Sequence, residues 1–178
     1  MMLKATLITA FACLAATAAP TPGRARAWCL DANDGKKLAA RYTDLRGDFT
    51  EGKALAVLAQ GFTEMSDSAN VVAGKPPGST TYASQQEFID AGLAGLLPRP
   101  EALDVLDVLA VTCDTVTLRW SLRLAAAAAN DGSDGPLPDV LGVSVLRAVM
   151  EEDDWRVGGV WTEFNSWAYL QGVEATHI

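Results

Sequence analysis

Residues 116 to 124 read Val-Thr-Leu-Arg-Trp-Ser-Leu-Arg-Leu, with an apolar side chain at every even position. Successive side chains in a strand point to opposite faces, so this run predicts a β-strand with one dry face. Ala102 to Thr112 precedes it as a partner strand joined through Cys113-Asp114-Thr115, and the Asn-Asp-Gly-Ser-Asp-Gly-Pro cluster at 130 to 136 follows as a turn. Two further strands, Val140 to Met150 and Trp155 to Phe164, flank the acidic turn Glu151 to Asp154. The second half of the chain therefore reads as an antiparallel meander of long strands.

The first half follows the helical period instead. Asp34 is read as the N-cap of a helix whose Leu38, Tyr42 and Leu45 recur at i, i+4 and i+7, which puts Tyr42 on the buried face and ends the pattern at Gly47. Thr50 caps a second helical run with Leu55, Leu58, Ala59 and Phe62 along one stripe. The polar stretch from Thr63 to Ser84 contains Pro76, Pro77 and Gly78 and is expected to be a long loop with one short strand at Asn70 to Ala73. Ser84 then caps a third helix carrying Phe88, Ile89 and Leu93, which stops before Pro98 and Pro100. Helices followed by a meander predict an α+β fold, a curved antiparallel sheet with the helices gathered on one face.

Residues 1 to 19 carry one positive charge at Lys4, an apolar run from Leu7 to Ala16 and the small-residue pattern Ala16-Thr17-Ala18. They are expected to be a signal peptide, cleaved after Ala18 or Ala19, and residues 20 to 178 a single secreted or secretory-pathway domain. The run is too short for a membrane span, which takes roughly 20 apolar residues. Cys13 falls in the leader, so Cys29 and Cys113 are the two thiols left in an oxidising compartment, and a disulfide between them is expected; two separate buried thiols is the other reading.

Composition narrows the partners. Lys and Arg total 14 against 22 Asp and Glu, a net charge of -8 that opposes binding to nucleic acid or an anionic membrane. The sole histidine is His177, so no metal spacing and no Ser-His triad is available inside the fold, and no metal or other cofactor is expected. The sequence contains neither a G-x-S-x-G elbow nor a glycine-rich phosphate loop after a strand.

Several short stretches carry a resemblance: Cys29, Met65-Ser66-Asp67-Ser68-Ala69-Asn70, Thr81-Tyr82, Cys113-Asp114 leading to Leu118-Arg119-Trp120, and Glu163-Phe164-Asn165-Ser166. With the helix-then-meander order, the chain resembles a family of small secreted fungal proteins with the nuclear transport factor 2-like fold. That resemblance implies a cone with its pocket between helices and sheet. It also implies a range of activities: ketosteroid isomerase, scytalone dehydratase, small polyketide cyclases and non-catalytic modules. Histidine-aspartate chemistry of the dehydratase kind does not suit a chain whose one histidine is terminal.

Within such a cone the candidate catalytic groups are Glu163, Tyr42 and Asp67. Glu163 shares strand parity with Val157 and Trp161, and a desolvated carboxyl there would act as general acid or base. An exposed strand-end acid, or one paired with Arg119 or Arg147, is the plainer reading. Tyr42 would aim its hydroxyl at a ligand carbonyl or simply pack in the core. Asp67 would anchor ligand at the cone mouth, or satisfy local backbone groups after a helix. Trp120, Trp161, Asn165, Tyr82, Phe62 and Phe88 are the candidate substrate-binding residues. The expected function is a cofactor-free isomerase, cyclase or dehydratase acting on a small apolar metabolite of polyketide or terpenoid type. The alternative is a non-catalytic extracellular ligand-binding or interaction protein, and a homodimer through the outer sheet face is a further option.

Overall fold

The computed structural model describes residues 28–124 and 139–176. The expected leader, the turn cluster at 130 to 136 and His177 lie outside the described residues. In chain order the elements are α1 (Ala32–Gly47), α2 (Glu51–Val57), β1 (Glu64–Met65), α3 (Asp67–Val72), β2 (Thr80–Tyr82) and α4 (Gln85–Leu93). They continue with β3 (Ala102–Val111), β4 (Thr115–Arg123), β5 (Val140–Glu151), β6 (Asp154–Phe164) and α5 (Ser166–Thr176). One six-stranded sheet runs β2-β1-β6-β5-β4-β3, antiparallel except where β1 joins β6 in parallel.

The helices start where side-chain oxygens meet unpaired amides. Thr50 caps α2 and Ser84 caps α4, each accepting from the amide three residues on. The cap of α1 is Asp31 rather than Asp34: its carboxylate accepts from the amides of Asn33 and Asp34, both at 2.8 Å, and leaves Asp34 in the first turn at the positive end of the helix. The second helix ends at Val57, short of Phe62, because the chain there turns alongside the sheet, with Ala59 N–H donating to the Val157 carbonyl at 2.9 Å. Asn70 to Ala73 is not a strand. Ser66 accepts from Ala69 N–H, the helix α3 forms, and the strands of that stretch lie on either side of it.

Leu38, Tyr42 and Leu45 face inward from α1 and pack with Phe62, Phe88 and the inward row of the meander. In β4 that row is Val116, Leu118, Trp120 and Leu122, the expected even positions. In β6 the inward row changes parity partway along. Arg147 pairs with Gly159 while Ala148 pairs with Val157, so Gly158 is an extra residue in a β-bulge. Val157 faces inward before it, and Val160 and Thr162 face inward after it. A one-residue slip of this kind exchanges the two faces for the rest of the strand.

The helix α5 was not anticipated. Its apolar residues Trp167, Tyr169 and Leu170 do not form one clean stripe, and it is held by capping and by close approach: Asn165 Oδ1 accepts from Ala168 N–H at 3.1 Å, and Gly172 leaves room for Leu124.

A disulfide joins Cys29 to Cys113, 84 residues apart with Cα atoms separated by 4.0 Å. Beside it Leu30 N–H donates to the Cys113 carbonyl at 2.9 Å, so the segment entering α1 is fastened to the β3–β4 turn. The double substitution Cys29→Ser with Cys113→Ser is expected to lower unfolding free energy by about 2–5 kcal/mol, measured by denaturant titration against the oxidised protein.

Candidate active site

The concave face of the sheet, α1, α4 and α5 enclose a cavity of about 780 Å³. Exposed Lys75, Glu87 and Leu96 stand at its mouth. Most of the wall is aliphatic or aromatic; of the three carboxylates that line it, Glu87 and Asp90 are exposed and one is buried.

That carboxylate is Glu64, with 0% of its surface exposed. The two-residue strand β1 positions it: register with Val160 turns Glu64 to the inner face and Met65 to the outer one. A buried carboxylate requires a partner. Arg46 supplies it, its Nη1 lying 3.1 Å from Oε2 and 3.3 Å from Oε1. Arg46 is one helical turn beyond Tyr42 on α1, so both project into the cavity. The guanidinium also lies over the Phe88 ring, 5.5 Å from its centroid.

Burial pushes the Glu64 carboxyl above the ordinary glutamate range, against the opposing pull of the Arg46 charge and its hydrogen bonds. Burial, and then the Glu64 charge, push the Tyr42 phenol far above its ordinary value, so Tyr42 is a neutral hydroxyl at physiological pH. Tyr82 and Tyr169, also on the cavity wall, are raised mainly by burial. The result is a base of strengthened affinity for protons, one fixed cation and several neutral phenols facing an apolar chamber.

On the sheet side, Trp120 Nε1 donates to Ser144 Oγ at 2.9 Å, and Ser144 lies 2.6 Å from Thr162 Oγ1. Trp120 lies over Gly142, its register partner, where the indole fills the volume a Cβ would take.

The structure brings Tyr42, Tyr82 and Trp120 together at the cavity. Phe62 and Phe88 lie behind the wall rather than on it. The Phe88 ring is buried between Phe62 and Tyr82, at centroid distances of 5.7 Å and 5.3 Å, where it supports Tyr82 and Arg46.

Glu163, Asp67, Trp161 and Asn165 do not line the cavity. The bulge at Gly158 is the reason for the first and third: Val157 points in, but two and three alternations later Trp161 and Glu163 point out. Trp161 is 48% exposed. Glu163 accepts from the amides of Asp67 and Ser68, both at 2.9 Å, and from the Ser68 hydroxyl, so it caps α3 and pairs with neither Arg119 nor Arg147. Asp67 accepts from Gly78 N–H and holds the proline-containing loop. Asn165 caps α5. Each of these polar groups satisfies backbone amides.

Glu64, Arg46, Tyr169, Ser144 and Thr162 were missed. Arg46 carried a usable signal, because an arginine four residues after Tyr42 shares the buried stripe of α1. Glu64 carried none, since two residues are too few to show a period.

A family model for the NTF2-like domain matches residues 28–176. Among solved structures, wild-type IdmH of Streptomyces antibioticus, described as a candidate polyketide cyclase, is 13% identical over 79% of this chain and 98% of its own, with a TM-score of 0.54. A candidate SnoaL-like polyketide cyclase from Jannaschia sp. CCS1 is 16% identical over 82% of this chain and 94% of its own, with a TM-score of 0.54. The Kfla4162 protein of Kribbella flavida is 21% identical over 76% and 94%, with a TM-score of 0.52. At these identities the likeness is one of fold. Comparison with curated protein sequences returns no match.

Glu163→Ala is expected to cost about 1 kcal/mol of stability, the usual effect of losing a helix cap, measured by denaturant titration. An unchanged midpoint would show that the α3 amides need no carboxylate.

Proposed function

The chain belongs to the NTF2-like domain family, and on that premise we propose that it is a cofactor-free enzyme of the cyclase, isomerase or dehydratase kind, moving a proton within a small apolar metabolite. The observation that carries this reading is Glu64: a carboxylate with no exposed surface, on the wall of a chamber of about 780 Å³, with Arg46 beside it. The fold shared with proteins described as candidate polyketide cyclases supports the same class.

Glu64 takes a proton from a carbon next to a substrate carbonyl. Its raised pKa makes it a stronger base than a solvated glutamate, and the lone pairs that Arg46 does not occupy remain for the substrate. Arg46 favours the ionised carboxylate against the effect of burial and fixes its direction. Tyr42, neutral throughout the physiological range, donates a hydrogen bond to the oxygen on which negative charge develops. Returning the proton to a different carbon gives isomerisation; expelling a hydroxide as water gives dehydration; attack of the enolate carbon on a second carbonyl closes a ring. Tyr82, Trp120 and Tyr169 shape the chamber and hold one folded form of the substrate, which contributes by orientation.

Deuterium uptake at C1 of 2-tetralone in D2O, followed by NMR, tests the proton transfer without requiring the natural substrate. The wild type is expected to accelerate uptake, and Glu64→Gln to reduce the acceleration about 100-fold or more. The rate should rise with pH through the Glu64 pKa, above the ordinary value of about 4.3, because the base works deprotonated. Stability has the opposite sign there: folding raises this pKa, so stability is lost as pH climbs from the unfolded to the folded value, and Glu64→Gln removes that dependence. Binding of 2-tetralone with no uptake above buffer assigns the chamber to ligand carriage instead.

We further propose that the protein enters the secretory pathway, supported by the leader-like residues 1 to 19 and by the Cys29–Cys113 disulfide. Protein recovered from culture medium should begin at Ala19 or Pro20 on N-terminal sequencing; a chain beginning at Met1 would overturn this.

A further inference from the structure

The run Leu103-Asp104-Val105-Leu106-Asp107-Val108-Leu109 repeats with a period of three, which a strand of period two cannot follow unbroken. β3 absorbs the mismatch in two bulges. Val105 and Asp107 pair with the consecutive residues Trp120 and Arg119, and Val108 and Ala110 pair with Leu118 and Thr117, so Leu106 and Leu109 are extra residues. Both leucines are half exposed, and Asp104 and Asp107 beside them are exposed as well. β3 ends the sheet, and among the described residues no strand lies against its outer edge.

Asp107 is the register partner of Arg119, yet no ion pair joins them. Among the described residues the carboxylates of Asp104 and Asp107 have neither a hydrogen bond nor a salt bridge. A second copy of the same edge would set these acids against their own counterparts, and like charges on adjacent strands repel. The edge is complementary to a cationic strand.

A cationic segment is tethered at the end of β3. Cys29 is bonded to Cys113, two residues beyond β3, and Leu30 N–H donates to the Cys113 carbonyl. The residues before this anchor, 20 to 27, lie outside the described residues and read Pro-Thr-Pro-Gly-Arg-Ala-Arg-Ala, with arginines at 24 and 26 and no acid. Arginines two apart share one side of an extended chain. These eight residues equal in number the eight paired positions of β3. Counting back five positions from each cysteine, with Leu109 passed over as a bulge residue, brings Arg24 level with Asp107. Asp104 is then two ladder positions beyond Arg24, and Arg26 two short of Asp107, both within reach as diagonal neighbours. Pro20 and Pro22 lack an amide hydrogen, which an outermost strand tolerates.

We propose that residues 20–27 add to the free edge of β3 as a seventh strand of the sheet, parallel to it, with Arg24 and Arg26 against Asp104 and Asp107 and the Cys29–Cys113 disulfide setting the register. The occupant of this surface is the chain's own N-terminal segment, and the docking is independent of the chemistry in the chamber.

A photo-cross-linker tests the contact in the full chain. With p-benzoylphenylalanine in place of the exposed Leu109, irradiation should join position 109 to a residue between 20 and 27 of the same chain, mapped by mass spectrometry. The double substitution Arg24→Glu with Arg26→Glu should lower the yield about threefold or more, and about 0.5 M salt should lower it in the same direction, because exposed ion pairs are screened. Hydrogen exchange on the chain without the cross-linker is the second readout. The β3 amides that point away from β4 should exchange about threefold or more faster in the doubly substituted chain than in the wild type, with β4 and β5 amides unchanged. A cross-link to a second chain would overturn the proposal in favour of self-pairing. No cross-link to residues 20–27, or β3 exchange indifferent to the two arginines, would overturn it outright. A doubly substituted chain that fails to fold would quicken exchange in β4 and β5 too, and the cross-link in the chain that keeps both arginines still decides.

Discussion

The ion pair between Arg46 and Glu64 spans the chamber from helix to sheet, and much else is arranged around it. A carboxylate with no access to water is tolerated because the guanidinium is held beside it, and removing one partner from such a pair generally costs about 3–5 kcal/mol. Holding Arg46 there takes the Phe88 ring beneath it and the docking of α1 that brings Leu38 and Leu45 into the core. Holding Glu64 there takes the parallel attachment of β1 to β6. The electrostatic requirement therefore ties together elements distant in sequence, and it leaves the chamber with a single orientation: charged towards α1 and β1, hydroxylic towards β5.

Much of the frame could be read from the chain because it follows from local rules. The alternation in β4, the turn residues at 113–115 and 151–154 and the caps Thr50 and Ser84 are one-segment signals, and they lead to the right elements. Asp31 and Asp34 compete for one helix start, and the winner is decided by which carboxylate reaches two amides. The short strands and α3 were illegible for a different reason. The pairing of β1 with β6, and of β2 with β1, is a tertiary event, and a polar stretch with two prolines gives no period to detect. The same limit hid α5.

The site was legible only where a residue lay on a regular element. Tyr42 on α1 and Trp120 on β4 were found by counting along unbroken periods. Counting along β6 failed because Gly158 inserts a residue, and the error carried Trp161 and Glu163 to the wrong face. Glycines at 158 and 159 were visible, and a glycine inside a strand pattern often marks a bulge, so the parity of everything beyond them was open to question. The displaced polar groups are not idle. Glu163, Asp67 and Asn165 each bind backbone amides, in keeping with the turn-forming and capping chemistry of short polar side chains.

The staple between Cys29 and Cys113 makes a closed covalent ring out of everything from α1 to the end of β3, including the residues at 42, 46 and 64 that face the chamber. Its longest exposed run surrounds Pro76 and Pro77, where a protease would meet the chain first. One cut there opens the ring into a line but separates nothing. The two new ends remain parts of one molecule, and the walls of the chamber stay tethered to each other after the backbone is broken.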